Sequence, residues 1–196
     1  FVSKLNLDGE ILKTITAGGE SVDMVSSIDV DIHGNVFIAG DFYQTIQFED
    51  ISFDAGDMLG LYLVKYDANL NMDWAYQIDG EDLKPGLKLS LDSESNITLA
   101  GTFSSELHFG NIQLSTADFD EDIFVAHFSN EGLVDWAHRF YSNSMESVLA
   151  LQVDRFGNTY LTGHYLDNIH FNELVIQYNL CCGDPEIFFV KLTNFS

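Results

Sequence analysis

The stretch DIHGNVFIAGDF occupies residues 31–42, and the chain writes it twice more, as DSESNITLAGTF at 92–103 and DRFGNTYLTGHY at 154–165. The copies begin 61 and 62 positions apart. A fixed period of this size marks a repeat architecture, in which one small unit cannot bury its apolar face alone and must stack on its neighbours. The register extends well beyond the motif. Trp74 and Trp136 lie 62 apart, Phe48, Phe109 and Phe171 keep the same phase, and LYLVKYD, IFVAHFS and IFFVKLT begin at Leu61, Ile123 and Ile187. At the front, FVSKLNLDGEILK aligns with residues 124–136, which places Lys13 in the tryptophan position. The sequence therefore reads as a single repeat region over 1–196, with units near 1–61, 62–123 and 124–187 and a stub at 188–196.

Within a unit the apolar period is two, the period of a strand. LKLSLD sets Leu87, Leu89 and Leu91 on one face and Lys88 and Ser90 on the other. A turn follows, with Gly34-Asn35 and Gly157-Asn158 expected to supply its positive backbone angles. The second copy has Ser95-Asn96, so Asn96 is expected to carry more of that turn. The next strand, VFIAGDF and its counterparts, is apolar on both faces and holds Gly40, Gly101 or Gly163, a sign of close backbone approach. TIQFEDISF, ELHFGNIQL and NIHFNELVI then alternate around a polar turn and predict an extra hairpin. Two further strands and a turn complete the unit. No segment shows a helical stripe.

A four-stranded antiparallel sheet of this kind stacks radially in a β-propeller. The expected fold is all-β: a β-propeller-like array of about three four-stranded antiparallel blades, each with an extra hairpin, cut as a window from a larger propeller. Trp74 and Trp136 are expected in the packing between blades. Closed propellers have about four to eight blades, so further blades are expected from the same chain or another chain. A two-sheet sandwich gives no reason for the repeat.

Bulk composition narrows function. Hydrophobic residues make up 46% of the chain, which argues for a packed protein. Its 31 acidic and 8 basic residues leave a net charge of −23. That field repels phosphate backbones, so no nucleic-acid partner is expected, and it favours basic partners or divalent cations. No apolar run is long enough for a transmembrane helix. Cys181 and Cys182 are adjacent, which rules out a CxxC zinc site and leaves two loop thiols or a vicinal disulfide.

The pattern D-x-x-G-N-x-aromatic-aliphatic-x-G-x-aromatic, followed by IFVAHF-x-x-x-G-x-x-x-W, resembles the SBBP β-propeller repeats of secreted Bacteroidetes-type proteins. In that family an Asp precedes the Phe-Val-Ala-Lys strand. Asp122 fills this position, Glu186 is a near match, and Gly60 departs from it. The resemblance implies an extracellular or cell-surface protein, often exported by the type 9 route, with adhesion or scaffolding roles.

No HExxH helix, GxSxG elbow or phosphate-binding glycine loop is present. SNEGLVDW at 129–136 has the wrong spacing for a sialidase Asp-box. The most suggestive cluster is DFDED, in which Asp118, Asp120 and Asp122 alternate as hard oxygen donors suited to calcium. The rest of a calcium loop is missing, because the sixth and twelfth positions hold Ile123 and Ser129. Apart from this possible calcium, no cofactor and no catalytic residue is expected. The reading is a non-enzymatic module binding a protein or surface-glycan partner. A carbohydrate-binding or glycan-processing propeller is the alternative.

Overall fold

A computed structural model describes residues 1–116, 120–171, 174–177 and 184–193. All of its regular structure is β. The chain opens with β1 (Val2–Leu5) and β2 (Ile11–Ile15), a two-stranded pair. The short β3 (Ala17–Gly18) leads into β4 (Asp23–Val30), β5 (Val36–Phe48), β6 (Ile51–Tyr66) and β7 (Met72–Gly80). These last four pair in sequence and form blade 1. Blade 2 consists of β8 (Lys88–Leu91), β9 (Ile97–Phe103), then, after the hairpin β10 (Glu106–Phe109) and β11 (Ile112–Ser115), β12 (Asp122–Phe128) and β13 (Val134–Phe140). Blade 3 holds β14 (Glu146–Val153), β15 (Thr159–Tyr165) and β18 (Glu186–Leu192), with the hairpin β16 (Ile169–Phe171) and β17 (Leu174–Ile176) between the last two. The chain is a β-propeller-like array whose sheets do not close into a ring. Blade 3 has three strands among the described residues, where the sequence pattern predicts four.

The extra hairpin takes two forms. In blade 1 it is continuous with the main strands, so β5 and β6 run for 13 and 16 residues, interrupted at Tyr43/Thr45 where Gln44 adopts a positive φ of 66°. In the other blades it is a separate pair.

The apolar seams lie between blades. Leu61 and Leu63 of blade 1 meet Leu87, Leu89 and Phe124 of blade 2. Ile123, Val125 and Phe140 of blade 2 meet Leu161 and Phe188 of blade 3. Val2 and Ile15 of the β1–β2 pair pack on Ile38, Tyr62 and Val64. The strand glycine has a steric cause. A bulge in the innermost strand, between Val25 and Ser27 or between Val148 and Ala150, lets a carbonyl lean over the facing strand. A Cβ on Gly40 would stand 2.1 Å from the Met24 carbonyl, and one on Gly163 1.9 Å from that of Ser147.

Two expectations need correction. In the opening motif only the fourth residue is left-handed: Gly34 (φ 83°), Ser95 (66°) and Gly157 (78°). Asn35, Asn96 and Asn158 act through their side chains instead. Each amide Nδ2 donates to Asp31, Asp92 or Asp154, whose other carboxylate oxygen accepts two backbone N–H groups of the turn. The acid at the start of the motif is therefore the turn's bracket. Asp67 and Asn71 build the same bracket in the second turn of blade 1. Ser90, placed on a polar face by alternation, is in fact buried. The innermost strand is pressed between two blades, so its polar face meets the next blade rather than water.

Candidate functional site

At the end that carries the bracketed turns, side chains cross each seam with the period of the repeat. Lys4 Nζ donates to the Ala68 carbonyl at 2.7 Å, and its counterpart Lys65 donates to that of Asn130 at 3.3 Å. Trp74 Nε1 donates to the same Asn130 carbonyl at 3.0 Å, and its ring covers Gly132. Lys13, standing in the tryptophan position, also reaches across, donating to Asn71 Oδ1 at 2.9 Å. Trp74 is thus a seam residue, as its repetition suggests. Nearer the axis the Leu89 N–H donates to Ser27 Oγ, the Leu91 N–H to Asp29 and the Val153 N–H to Ser90 Oγ.

At the opposite end each extra hairpin reaches back to the preceding blade. His108 pairs with Asp79 and Leu107 with Gly80, which ties β10 to β7. His170 exchanges backbone hydrogen bonds with Tyr141 at 3.2 and 2.8 Å, and their rings stack at 4.7 Å. In blade 1, Gln47 and Phe48 pair with Gly18 and Ala17, in the same register as the other copies. The equivalence of His108 and His170 is visible in sequence. Their clasp on another blade is not, because no local pattern encodes it.

The same end holds the most unusual chemistry. Asp122 and Glu146 are each 1% exposed, on the facing strands β12 and β14. Arg139 Nη1 lies 3.4 Å from Asp122 Oδ2, and the Ser142 hydroxyl donates to Glu146 Oε1. Asp122 Oδ1 and Glu146 Oε2 find no hydrogen-bond donor among the described residues. Burial lifts Asp122 to about 7 against the pull of Arg139, with Asp120 adding repulsion. Burial lifts Glu146 to about 8, opposed by the Ser142 bond and reinforced by the charges of Asp122 and Asp120. Of the predicted calcium donors, Asp118 lies outside the described residues, Asp120 is half-buried, and Asp122 is buried beside Arg139. No three metal-ligating side chains converge among the described residues. Cys181 and Cys182 also lie outside the described residues. Glu146 escapes the sequence reading, although Asp23, which like Glu146 opens the innermost strand of its blade, was a signal.

The two flanks of the array are open. Leu61, Leu63, Ile123 and Val125 are fully buried, yet the equivalent Ile187 and Phe189 of blade 3 are 84% and 71% exposed. On the other flank Ile28 and Val30 are 55% and 53% exposed, while Leu89, equivalent to Ile28, is 6% exposed. A groove of about 490 Å³ runs there, between β1 and β4.

No protein-family model matches the chain. Over an alignment 193 positions long that covers 82% of the chain, it is 20% identical to a protein of Acanthamoeba polyphaga mimivirus described as an uncharacterized WD repeat-containing protein. The chain spans only 14% of the length of that relative. The likeness agrees with a propeller-type repeat protein. No helix among the described residues is long and apolar enough to cross a membrane.

Proposed function

We propose that the chain is a non-enzymatic propeller module for protein interaction, of the extracellular, SBBP-like kind that serves adhesion or scaffolding. The observation that supports this is the use of the repeated polar side chains. Lys4, Lys65, Lys13, Trp74, Asp29 and Ser90 are all taken up by contacts between blades. What differs from copy to copy lies in the hairpins and acidic loops, where a scaffold carries its specificity. With a net charge of −23, the favoured partner is a basic protein surface. The relative's WD repeat description fits a module of this type.

A second reading, a carbohydrate-binding or glycan-processing propeller, is favoured by one observation, the buried Asp122–Glu146 pair. Carboxyl groups lifted toward neutrality are the groups that acid–base hydrolysis uses. A protein array and a glycan array, run with a glycosidase panel, separate the two. The first reading expects salt-sensitive binding to basic proteins and no turnover. Glycan turnover abolished by Glu146→Gln would overturn it.

A further inference from the structure

We propose that the groove between β1 and β4 is the seat of an inner-strand β-hairpin of the same repeat, which adds to the free edge of β1. This rests on the blade architecture and not on the binding role above. The β1–β2 pair already occupies a blade position. Lys4 bridges to Ala68 as Lys65 bridges to Asn130. The register Val2↔Ile15, Ser3↔Thr14, Lys4↔Lys13, Leu5↔Ile11 repeats that of Val125↔His138, Ala126↔Ala137, His127↔Trp136 and Phe128↔Val134, including the irregularity before the last pair. The pair is thus the outer half of a blade.

In blade 2 the strand corresponding to β1 is β12, and its second edge is taken by β9. Beside β1 that edge has no strand among the described residues. The exposed side chains name what is missing. Leu89 is buried under Phe37 and Ala39, which β5 of the preceding blade supplies. Ile28, equivalent to Leu89, has no such cover. Val2, Ser3 and Lys4 line one wall of the groove, and Ile28, Val30 and Val36 line the other. A strand placed there with the pattern of β9 would set Ala100 opposite Val2, Leu99 opposite Ser3 and Thr98 opposite Lys4. It would cover Ile28 and Val30 with its alternate side chains. Main-chain bonds would supply the affinity, and the alternating pockets the selectivity.

The test joins a second copy of residues 87–104 through a flexible glycine-serine linker ahead of Phe1, which raises the local hairpin concentration. Hydrogen exchange is read at Val2–Leu5 and at Ile28–Val30. Exchange at the β1 edge is expected to slow at least tenfold relative to the parent chain. Adding Ile28→Asp and Val30→Asp is expected to abolish the effect while leaving exchange in blades 2 and 3 unchanged. A linked hairpin of scrambled sequence should give no protection. Unchanged exchange in the linked protein would overturn the proposal, as would equal protection by the scrambled hairpin. Protection of the β1 edge in the parent chain that grows with protein concentration would also overturn it, assigning the groove to a second copy.

Discussion

Lys65 reaches out of its own blade to the Asn130 carbonyl of the next, 3.3 Å away, and Trp74 donates to the same oxygen at 3.0 Å. One carbonyl therefore receives both long side chains. Trp74→Ala removes a half-buried indole together with its bond, and unfolding in urea should show a loss of about 3 kcal/mol. Lys65→Met keeps the stem and loses the bond, so about 1 kcal/mol is expected. The double variant should lose less than the sum, because the two share one acceptor.

The glycine beneath each bulge is predicted to resist even a methyl group. Gly163→Ala should destabilise by about 2 kcal/mol or more, since the clash is with backbone rather than a movable side chain. Gly56→Ala meets no atom within 4 Å and bears only the strain of its φ of 63°, so about 1 kcal/mol is expected. Thermal unfolding of the two variants tests the order.

The buried acids predict a fall in stability with rising pH. Folded Asp122 and Glu146 hold their protons to about 7 and about 8, well above the usual carboxyl range. Between about pH 4 and 8 the folded state therefore binds more protons than the unfolded chain, and stability declines as pH rises through that window. Glu146→Gln, which stays neutral, should flatten the decline. The difference between parent and variant, on the order of 2 kcal/mol from pH 5 to 8, isolates this group from the general acidic repulsion.

Calcium binding at Asp118, Asp120 and Asp122 is open to a direct titration. If the ion binds, calorimetry at millimolar calcium gives heat, and the melting temperature rises. Asp120→Asn should then weaken both signals. Absence of heat and of any thermal shift would show the cluster to be a solvated acidic loop. Glu146→Gln distinguishes a site that includes the buried pair from one confined to the loop.

The fold was legible because a repeat states its own register. Aligning three copies of one motif assigns strands, turns and core faces together, and period-two alternation supplies the rest. Two things were hidden. The bracket formed by Asp31 and Asn35 looks like ordinary turn composition until the side chains are placed. Ser90 looks like a solvent-facing residue, since alternation along one strand says nothing about a second blade pressed against it. The buried pair was half visible. Asp122 stood out in an acidic run, but Glu146 is 24 residues further along and meets it only across a seam. The clasp of His170 on Tyr141 has the same cause: contacts between repeats leave no trace in the period of either strand.

Away from the hairpin end, the polar bridges across a seam join residues about one period apart. Lys4 and Ala68, Lys65 and Asn130, Ser27 and Leu89, and Ser90 and Val153 are separated by 64, 65, 62 and 63 positions. Loss or duplication of one whole unit therefore keeps the lysine-to-carbonyl and N–H-to-hydroxyl joints in register. The gene for such a chain can lengthen or shorten by recombination between its own copies, and the product inherits working joints without further substitution.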